Sequence, residues 1–560
     1  MKSVEDKEYE ERVKRRVLIL QEMLKEGKIQ IPNDNIQIEK SLTACRYDLK
    51  GEPDLSTIDG VVRSMALMAE YFHDREQLKN AITLSEIQNR YFEKIWRNFD
   101  FFYQKMIELK LTPHNIAYRI AYGDHKTDLL HENIKAFLKS IVEFWEGHSD
   151  AAYIHVEDTY DSIKAVFGGD LFPAHNENIA SKCGIYTDTI VLPCPFIRFK
   201  NLFDQWNKEQ QIYYVLKHAL NVLQYKDFVS AETDYPIVVI LPDKEWLSEE
   251  NFEQVRSLGT KDALFHANKI FNREFKDLDE LLGFTNDLDT IDKVLPEIKD
   301  SDRVLFDIDY KTPIKEQITN AMKGESAQLF GTENPGTIVA MQGIGRMNVC
   351  NALLLKSLKL RGIPLIDAPT SWQYFKWKLE YDVERAHSNS NVNFLNLHIV
   401  KGLNHLSDTS LQWIGKIPPQ GLIELRKSGA INEIRAILSK GIDGLSSANS
   451  LDFTATSHEV FNNLNAAFNQ HQENIKLLIN KKWKVAGKDL ASWLVMGSIE
   501  IAAACTGYPL FGLSCFALEQ ILDIPKLKDI PKSIEKIMDY EREKLRLNKS
   551  PIGLMFQYKK

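Results

Sequence analysis

Two glycines and a later aspartate are spaced as in a dinucleotide-binding site. Gly343 and Gly345 follow an apolar run at residues 337–342, and Asp367 comes about 20 residues further along the chain. In such a site the glycines let the backbone turn close to a pyrophosphate, and the acid holds the hydroxyls of the ribose. The spacing predicts a strand at 337–342, a turn at the glycines and a cofactor-binding role for Gly343, Gly345 and Asp367.

A second interpretation of this segment is open. Asn348 stands where the pattern has a small residue, which weakens the expected packing of a helix on a strand. Asn334, Pro335 and Gly336 form the start pattern of a helix, and the residues from there to 360 tolerate helical placement. In that case one long helix replaces the strand and the turn, and the glycines are structural.

A pair of aspartates follows another apolar run. Residues 304–312 (VLFDIDYKT) resemble the first motif of the haloacid-dehalogenase-type phosphatases, with Tyr310 where that family has a small residue. The resemblance implies that Asp307 is a nucleophile, that Asp309 is a general acid or base, and that both lie beside Mg²⁺. The alternative is a turn at the end of a strand, with two solvated acids.

One further acid and one incomplete metal pattern lie upstream. We add Asp188 to Asp307 and Asp309 as a candidate catalytic residue, because it also lies beside an apolar run. His175 and Glu177, followed by Cys194, have the spacing of the zinc deaminases, but Ile197 occupies the last ligand position. We therefore predict no metal ligands, and no cofactor can be named.

The elements that must position these residues alternate between short apolar runs and helical stretches. The runs end at proline or aspartate, as strands often do, and lie at residues 189–192, 237–241, 303–306 and 363–366. This alternation predicts an α/β domain at 151–400 with a mostly parallel sheet. Its ligands would bind at the carboxyl ends of the strands.

The flanking parts of the chain are predicted to be helical. Apolar residues from Tyr9 to Leu24 recur every three or four positions, and Ser85 with Gln88 forms a capping-box pattern that would begin another helix. The fold class is therefore mixed α and α/β, predominantly helical, with a helical domain at 1–150 and another at 401–560. Residues 441–457 are polar and are predicted to be a linker or a capped loop.

The most apolar segment lies near the carboxyl end, at residues 490–522. Residues 501–518 carry no charge, but Gly507 and Pro509 divide them into two pieces, each too short to cross a bilayer. We predict a buried apolar hairpin, with membrane insertion of 490–522 as the alternative. The tail that follows has an excess of basic residues and is predicted to be a solvated helix.

Composition limits the class of protein. The 560 residues include 44% hydrophobic and 26% charged residues, which is typical of several folded domains and excludes a disordered or fibrous chain. A net charge of −8 argues against a dedicated nucleic-acid binder. The first residues lack the apolar core of a secretory signal, so we predict a cytoplasmic protein.

Three functional hypotheses remain open on the sequence. The first is a cytoplasmic interaction or regulatory protein whose α/β domain binds a small phosphorylated or nucleotide ligand, with a protein partner or that ligand as its binding partner. The second is a Mg²⁺-dependent enzyme that uses Asp188, Asp307, Asp309 or Asp367. The third is an effector that inserts 490–522 into a membrane. The oligomeric state is open.

Overall fold

The computed structural model describes residues 4–31, 36–123, 127–169, 179–306, 312–324, 327, 330–386, 393–404, 417–448, 452–480, 484–485 and 488–489. Four of the predicted features lie outside these residues: Asp307 with Asp309, His175 with Glu177, the hairpin at 490–522 and the basic tail. The chain forms two compact units, Met1–Ile87 with Gly147–Asp158, and Gln88–Glu146 with Thr159–Lys560. The domain boundaries at 150 and 400 stay predictions.

The described part is predominantly helical and contains one four-stranded parallel sheet, which confirms the predicted fold class. The helices are α1 (Val4–Lys25), α2 (Ile36–Ala44), α3 (Gly60–Ala81), α4 (Leu84–Glu108), α5 (Pro113–Tyr122), α6 (Asp128–Glu157), α7 (Ile179–Cys183), α8 (Pro195–Leu202), α9 (Lys208–Leu223), α10 (Lys226–Val229), α11 (Glu249–Phe271), α12 (Leu278–Asn286), α13 (Ile291–Glu297), α14 (Ile314–Lys323), α15 (Pro335–Leu360), α16 (Pro369–Ala386), α17 (Phe394–Asn404), α18 (Pro419–Lys427), α19 (Ile431–Ser439), α20 (Ile442–Ala448) and α21 (Phe453–Asn480). The strands are β1 (Lys164–Gly168), β2 (Thr189–Pro193), β3 (Val238–Leu241), β4 (Ile363–Ile366), β5 (Lys484–Val485) and β6 (Lys488–Asp489).

The first unit is built on the pairing of α1 with α3. Val13, Val17 and Leu20 of α1 are buried, as the helical spacing predicts. Gly27 follows the helix with φ +70°, a backbone conformation that glycine adopts at little cost and that commonly ends a helix. This part of the chain contributes no residue to the sites described below.

The sheet lies in the second unit and has the strand order β3-β2-β1-β4. All neighbouring pairs are parallel, and every residue of the four strands is buried, because helices cover both faces. The runs predicted at 189–192, 237–241 and 363–366 are strands within one residue. The central strand β1 is missing from the prediction, because its sequence KAVFG begins with a lysine and an alanine and has a single β-branched residue.

The strand predicted at 303–306 is wrong. Residues 304–306 belong to no strand, and helical side chains rather than a neighbouring strand bind their carbonyls. Gln342 Nε2 donates to the Leu305 oxygen at 3.1 Å, and the hydroxyl of Tyr374 donates to the same oxygen at 3.3 Å. The apolar run therefore packs against α15 and α16, and side chains of these two helices bind the Leu305 carbonyl.

The strand predicted at 337–342 is also wrong, and the second interpretation, one long helix, is what forms. Pro335 to Leu360 is continuous α-helix, begun by the side chain of Asn334, which accepts from the Thr337 N–H at 3.0 Å. The residues that would make a dinucleotide turn serve helix packing instead. A Cβ on Gly259 of α11 would lie 1.7 Å from Asn348 Oδ1, and one on Gly343 would lie 3.2 Å from the ring of His266.

Helix α15 is long and apolar enough to cross a membrane, and it is the one such helix in the described ranges. Half of its most apolar window is buried, and it packs on α11, α12, α14, α16 and the sheet. A core helix of a folded domain passes the same test of length and composition.

The start of α4 differs in detail from the predicted capping box. Thr83 and Glu86 form the reciprocal pair: the Glu86 N–H donates to Thr83 Oγ1 at 3.2 Å, and the Thr83 N–H donates to the Glu86 carboxylate at 3.1 Å. Gln88 is buried, and its amide bonds both the N–H and the C=O of Ile240 at 2.9 Å. The glutamine thus satisfies the backbone groups of Ile240 on the outer edge of β3, where no strand of the described residues pairs.

The linker predicted at 441–457 is wrong for most of its length. Ile442–Ala448 is helix α20, and α21 already begins at Phe453. α21 packs closely on α17, where a Cβ on Gly402 would lie 3.2 Å from Val460. This contact fixes the position of α17, which carries two residues of the site described next.

Candidate functional site

The site begins where the strand order reverses. β2 and β3 extend the sheet on one side of β1, and β4 extends it on the other, so the strand order reverses between β1 and β4. In open α/β sheets, ligands bind in the crevice that this reversal creates at the carboxyl ends of the strands. Here β1 ends at Gly168 and is followed by Gly169, and β4 is followed by Asp367.

The backbone at the end of β1 requires a glycine. Gly169 has φ +92°, which residues with a side chain rarely adopt, and a Cβ there would lie 2.7 Å from Ile366 Cγ2. Both features keep Gly169 close to the end of β4. A glycine at this point leaves room for a ligand to approach the backbone closely.

A buried lysine stands beside Asp367. Lys401 of α17 is 3% exposed, its Nζ donates to the Ile366 carbonyl at 3.1 Å, and the Nζ lies 3.9 Å from the centre of the Trp372 ring. Burial lowers the pKa of Lys401 well below its usual range, and the carboxylate of Asp367 opposes that shift. In its protonated form Lys401 is a cation in a low-dielectric site, where it attracts an anionic group in addition to the carboxylate of Asp367.

Asn404, one turn after Lys401, has an unused acceptor. Its Nδ2 donates to Asp367 Oδ1 at 2.9 Å, which fixes the orientation of the amide. Its Oδ1 is buried and has no hydrogen-bond partner among the residues that the structure describes, and the residue is only 4% exposed. A buried acceptor without a donor lowers the stability of the folded state, so a ligand hydroxyl or amine that donates to this oxygen would be favoured.

The remaining side of the crevice is a helix start. α16 begins two residues after Asp367, and the hydroxyl of Ser371 in its first turn accepts a hydrogen bond from Arg346 of α15. The first N–H groups of a helix carry partial positive charge and bind anions. Lys182 lies nearby, with its Nζ 3.4 Å from the Asn404 carbonyl oxygen.

The arrangement therefore offers two kinds of contact. Lys401, Lys182 and the start of α16 provide positive potential, which suits a phosphate or a carboxylate. Asp367 and Asn404 Oδ1 provide acceptors, which suit hydroxyl groups. Cys183 lies close to Asp367 and Lys401. Burial raises the pKa of its thiol to about 12, so the thiol stays protonated at neutral pH and is a poor nucleophile.

Asp188 lies at the opposite end of the sheet, just before β2 begins. Its carboxylate accepts from the Ile163 N–H at 2.7 Å, and it pairs with Arg435 at 2.7 Å and with Arg426 at 3.4 Å. The arginines also bind backbone carbonyls of the loop before β2. These partners account for the carboxylate oxygens of Asp188, which gives it a structural role.

Of the residues predicted to bind a cofactor, one lies at the crevice. Asp367 is there because it follows β4, whereas Gly343 and Gly345 are inside α15. Lys401 and Asn404 were not predicted. The sequence signal for Lys401 is a single charge inside an apolar helical run, LHIVKGL, but nothing in the sequence relates that run to β4.

Gly345 provides a direct check on this reassignment. A Cβ at position 345 would meet no atom within 4 Å, so the helix has no need of a glycine there. We expect Gly345→Ala to raise the free energy of unfolding by about 0.5–1 kcal/mol, because alanine loses less backbone entropy on entering a helix. Urea unfolding measures this change. A destabilised Gly345→Ala protein would contradict the helical assignment.

A second charged cluster lies at the carboxyl end of β3. Asp243 is 2% exposed and pairs with Lys356 at 2.8 Å and with Arg198 at 2.6 Å. Burial opposes ionisation of Asp243, but the two cations outweigh it and lower its pKa. Burial and the negative charge of Asp243 raise the pKa of the nearby Glu245 to about 7.

The raised pKa of Glu245 makes stability depend on pH. In the folded protein Glu245 keeps its proton up to about pH 7, whereas in the unfolded chain it loses the proton near its ordinary pKa. The free energy of unfolding therefore falls as the pH rises towards 7. Below about pH 4 the group is protonated in both states and has no such effect. We expect Glu245→Gln to be roughly 1–2 kcal/mol more stable than the unaltered protein at pH 8, with the difference closing towards pH 4. Urea unfolding at several pH values measures it. The exposed Glu274→Gln is the control and should show no such trend; a flat difference for Glu245→Gln would contradict the burial of this acid.

Two questions remain about this site: whether it holds a metal ion, and whether the chain is similar to known proteins. Among the residues that the structure describes, no three His, Cys, Asp or Glu side chains are grouped so as to hold a metal ion. No protein-family model, no curated protein and no solved structure matches this chain.

Proposed function

We propose that this chain binds a small phosphorylated ligand carrying hydroxyl groups, in the crevice between the carboxyl ends of β1 and β4. The observation that carries the proposal is the buried Lys401 beside Asp367 at the reversal of strand order. The Oδ1 of Asn404 adds a place for a donor, which the hydroxyl groups of a sugar phosphate supply. This is the role expected of an interaction or regulatory protein that senses a metabolite.

The Mg²⁺-dependent enzyme has weaker support. Asp188 is engaged by two arginines, and Asp307 and Asp309 lie outside the described residues. Asp367 is bonded to Asn404, and in the described ranges it belongs to no group of three His, Cys, Asp or Glu side chains that could hold a metal ion. A bound divalent cation would also be repelled by the buried lysine.

The test is thermal unfolding of the full chain with inorganic phosphate, glycerol 3-phosphate, ribose 5-phosphate and AMP. A ligand present at 100 times its Kd stabilises the folded state by about 2.7 kcal/mol. We expect stabilisation by the hydroxyl-bearing phosphates, and its loss in Lys401→Met, which keeps the length of the side chain but removes the charge. The absence of any shift across the panel would contradict the proposal.

A matched control separates ligand binding from the general effect of removing a buried lysine. Lys356→Met also removes a buried, ion-paired lysine, but at the carboxyl end of β3. We expect Lys356→Met to lower the unfolding temperature of the free protein and to keep the ligand-induced shift. If the two variants lose the shift equally, the crevice is not the binding site.

A further inference from the structure

We propose a second small-molecule site at the amino-terminal ends of β1 and β4, which takes an organic anion with a flat apolar body. A groove of about 490 Å³ opens there, lined among others by Tyr160, Leu354, Ser357, Leu358 and Arg361. Its volume is that of a site for a drug-sized molecule. It lies at the opposite end of the strands from the crevice described above, and it does not rest on the proposed function.

The anionic part of the ligand is inferred from Arg361. Its guanidinium lies 4.3 Å from the centre of the Tyr160 ring, and no carboxylate in the described part of the chain pairs with it. Its backbone has φ +52°, which costs a side-chain-bearing residue about 1 kcal/mol and which glycine or asparagine would adopt more readily. The backbone at this position disfavours arginine, so the presence of an arginine without a carboxylate partner indicates a role for its side chain. The planar guanidinium has the geometry to bind a carboxylate, phosphate or sulfonate.

A buried hydroxyl gives independent support. Ser357 of α15, one turn before Arg361, is 2% exposed, and its Oγ has no hydrogen-bond partner in the described part of the chain. It lines the same groove. A polar atom of the ligand would satisfy this hydroxyl, which otherwise remains a cost to the folded state.

The apolar body is inferred from the walls. Leu358 is 47% exposed and Tyr160 is 57% exposed, and both face the groove together with Leu354. Exposed apolar side chains that converge beside a cation suit a flat hydrocarbon that carries one negative group. A free phosphate or a simple sugar would leave these walls in water.

The experiment compares two fluorescent probes that share one ring system. 8-Anilinonaphthalene-1-sulfonate carries the negative group, and N-phenyl-1-naphthylamine lacks it. In titrations of the full chain we expect the sulfonate to bind more tightly. In Arg361→Gly the affinity for the sulfonate should fall about tenfold, while that for the neutral probe changes little. Glycine suits the backbone at 361, so this variant should fold at least as well as the unaltered protein.

Two further variants define the outcome. Ser357→Ala should raise the unfolding temperature of the free protein and weaken the sulfonate probe severalfold, a combination that a purely structural hydroxyl would not give. Arg273 also lies over aromatic rings, at 4.8 Å from the centre of Phe284, but lines no part of the groove. Arg273→Gln should therefore bind both probes unchanged. Equal affinity for the sulfonate in Arg361→Gly, or an equal loss in Arg273→Gln, would overturn the proposal.

Discussion

Replacing Asp188 by asparagine is expected to destabilise the folded protein by about 3–5 kcal/mol. The side chains of Asp188 and Arg426 are 10% and 7% exposed, and that of Arg435 is 18% exposed, so the substitution leaves two largely buried cations without their shared anion. Burial and the neighbouring Arg435 lower the pKa of Arg426 to about 10, even though the negative charge of Asp188 opposes that shift. Urea unfolding measures the loss.

A double-mutant cycle identifies the cause of that loss. Asp188→Asn combined with Arg435→Gln should recover part of the stability, because it removes one of the uncompensated charges. Asp161→Asn, at an exposed acid near the start of β1, should stay within about 0.5 kcal/mol of the unaltered protein. A small effect of Asp188→Asn, below about 1 kcal/mol, would show that the arginines do not depend on Asp188 and would reopen a catalytic role for this acid.

Gly169→Ala is expected to cost about 2–4 kcal/mol of stability and to abolish ligand binding in the crevice. Two effects add: the backbone at φ +92° is unfavourable for alanine, and the new methyl group would lie 2.7 Å from Ile366 Cγ2. Relief of that contact requires the ends of β1 and β4 to separate, which moves Asp367 away from Gly169. Urea unfolding and the thermal-shift panel measure the two consequences.

The matched control for this prediction is Gly429→Ala. Gly429 also has a positive φ, +72°, but no atom lies within 4 Å of the position of its Cβ. It should cost only the backbone part, about 1 kcal/mol, and leave the ligand-induced shift intact. A loss in Gly169→Ala no larger than that in Gly429→Ala would mean that the two strand ends are not in close contact.

The sequence predicts the elements whose signal is local. β2, β3 and β4 are short β-branched runs that end at proline or aspartate, and α1 has an apolar stripe with a helical period. The segment at 337–342 has no such period, because α15 is surrounded by protein over much of its length, and a fully apolar run is compatible with either a strand or a buried helix. β1 is a strand because β2 and β4 pair with it on both sides. That pairing cannot be predicted from the five residues of β1.

The candidate site could be predicted only in part, for a related reason. Asp367 follows a recognisable strand, and acids at the ends of parallel strands are brought to one edge. Lys401 and Asn404 reach that edge through the packing of α17 on α7, β4 and α21, and none of these contacts can be derived from spacing along the chain. Ser357 of α15 and Arg361, the residue that follows this helix, lie one turn apart, but the groove between them and Tyr160 depends on the pairing of β1 with β4.

That pairing also bears on how the chain folds during synthesis. Ala165 of β1 lies opposite Ile363 of β4, so roughly 200 residues must leave the ribosome between the two halves of the pair. β1, β2 and β3 are all available long before β4, and until then the free edge of β1 is open to pairing with another chain. Closure of the nascent sheet by β4 is therefore the step at which crowding or a chaperone would have its largest effect on yield, and the same step brings together the residues of both proposed ligand sites.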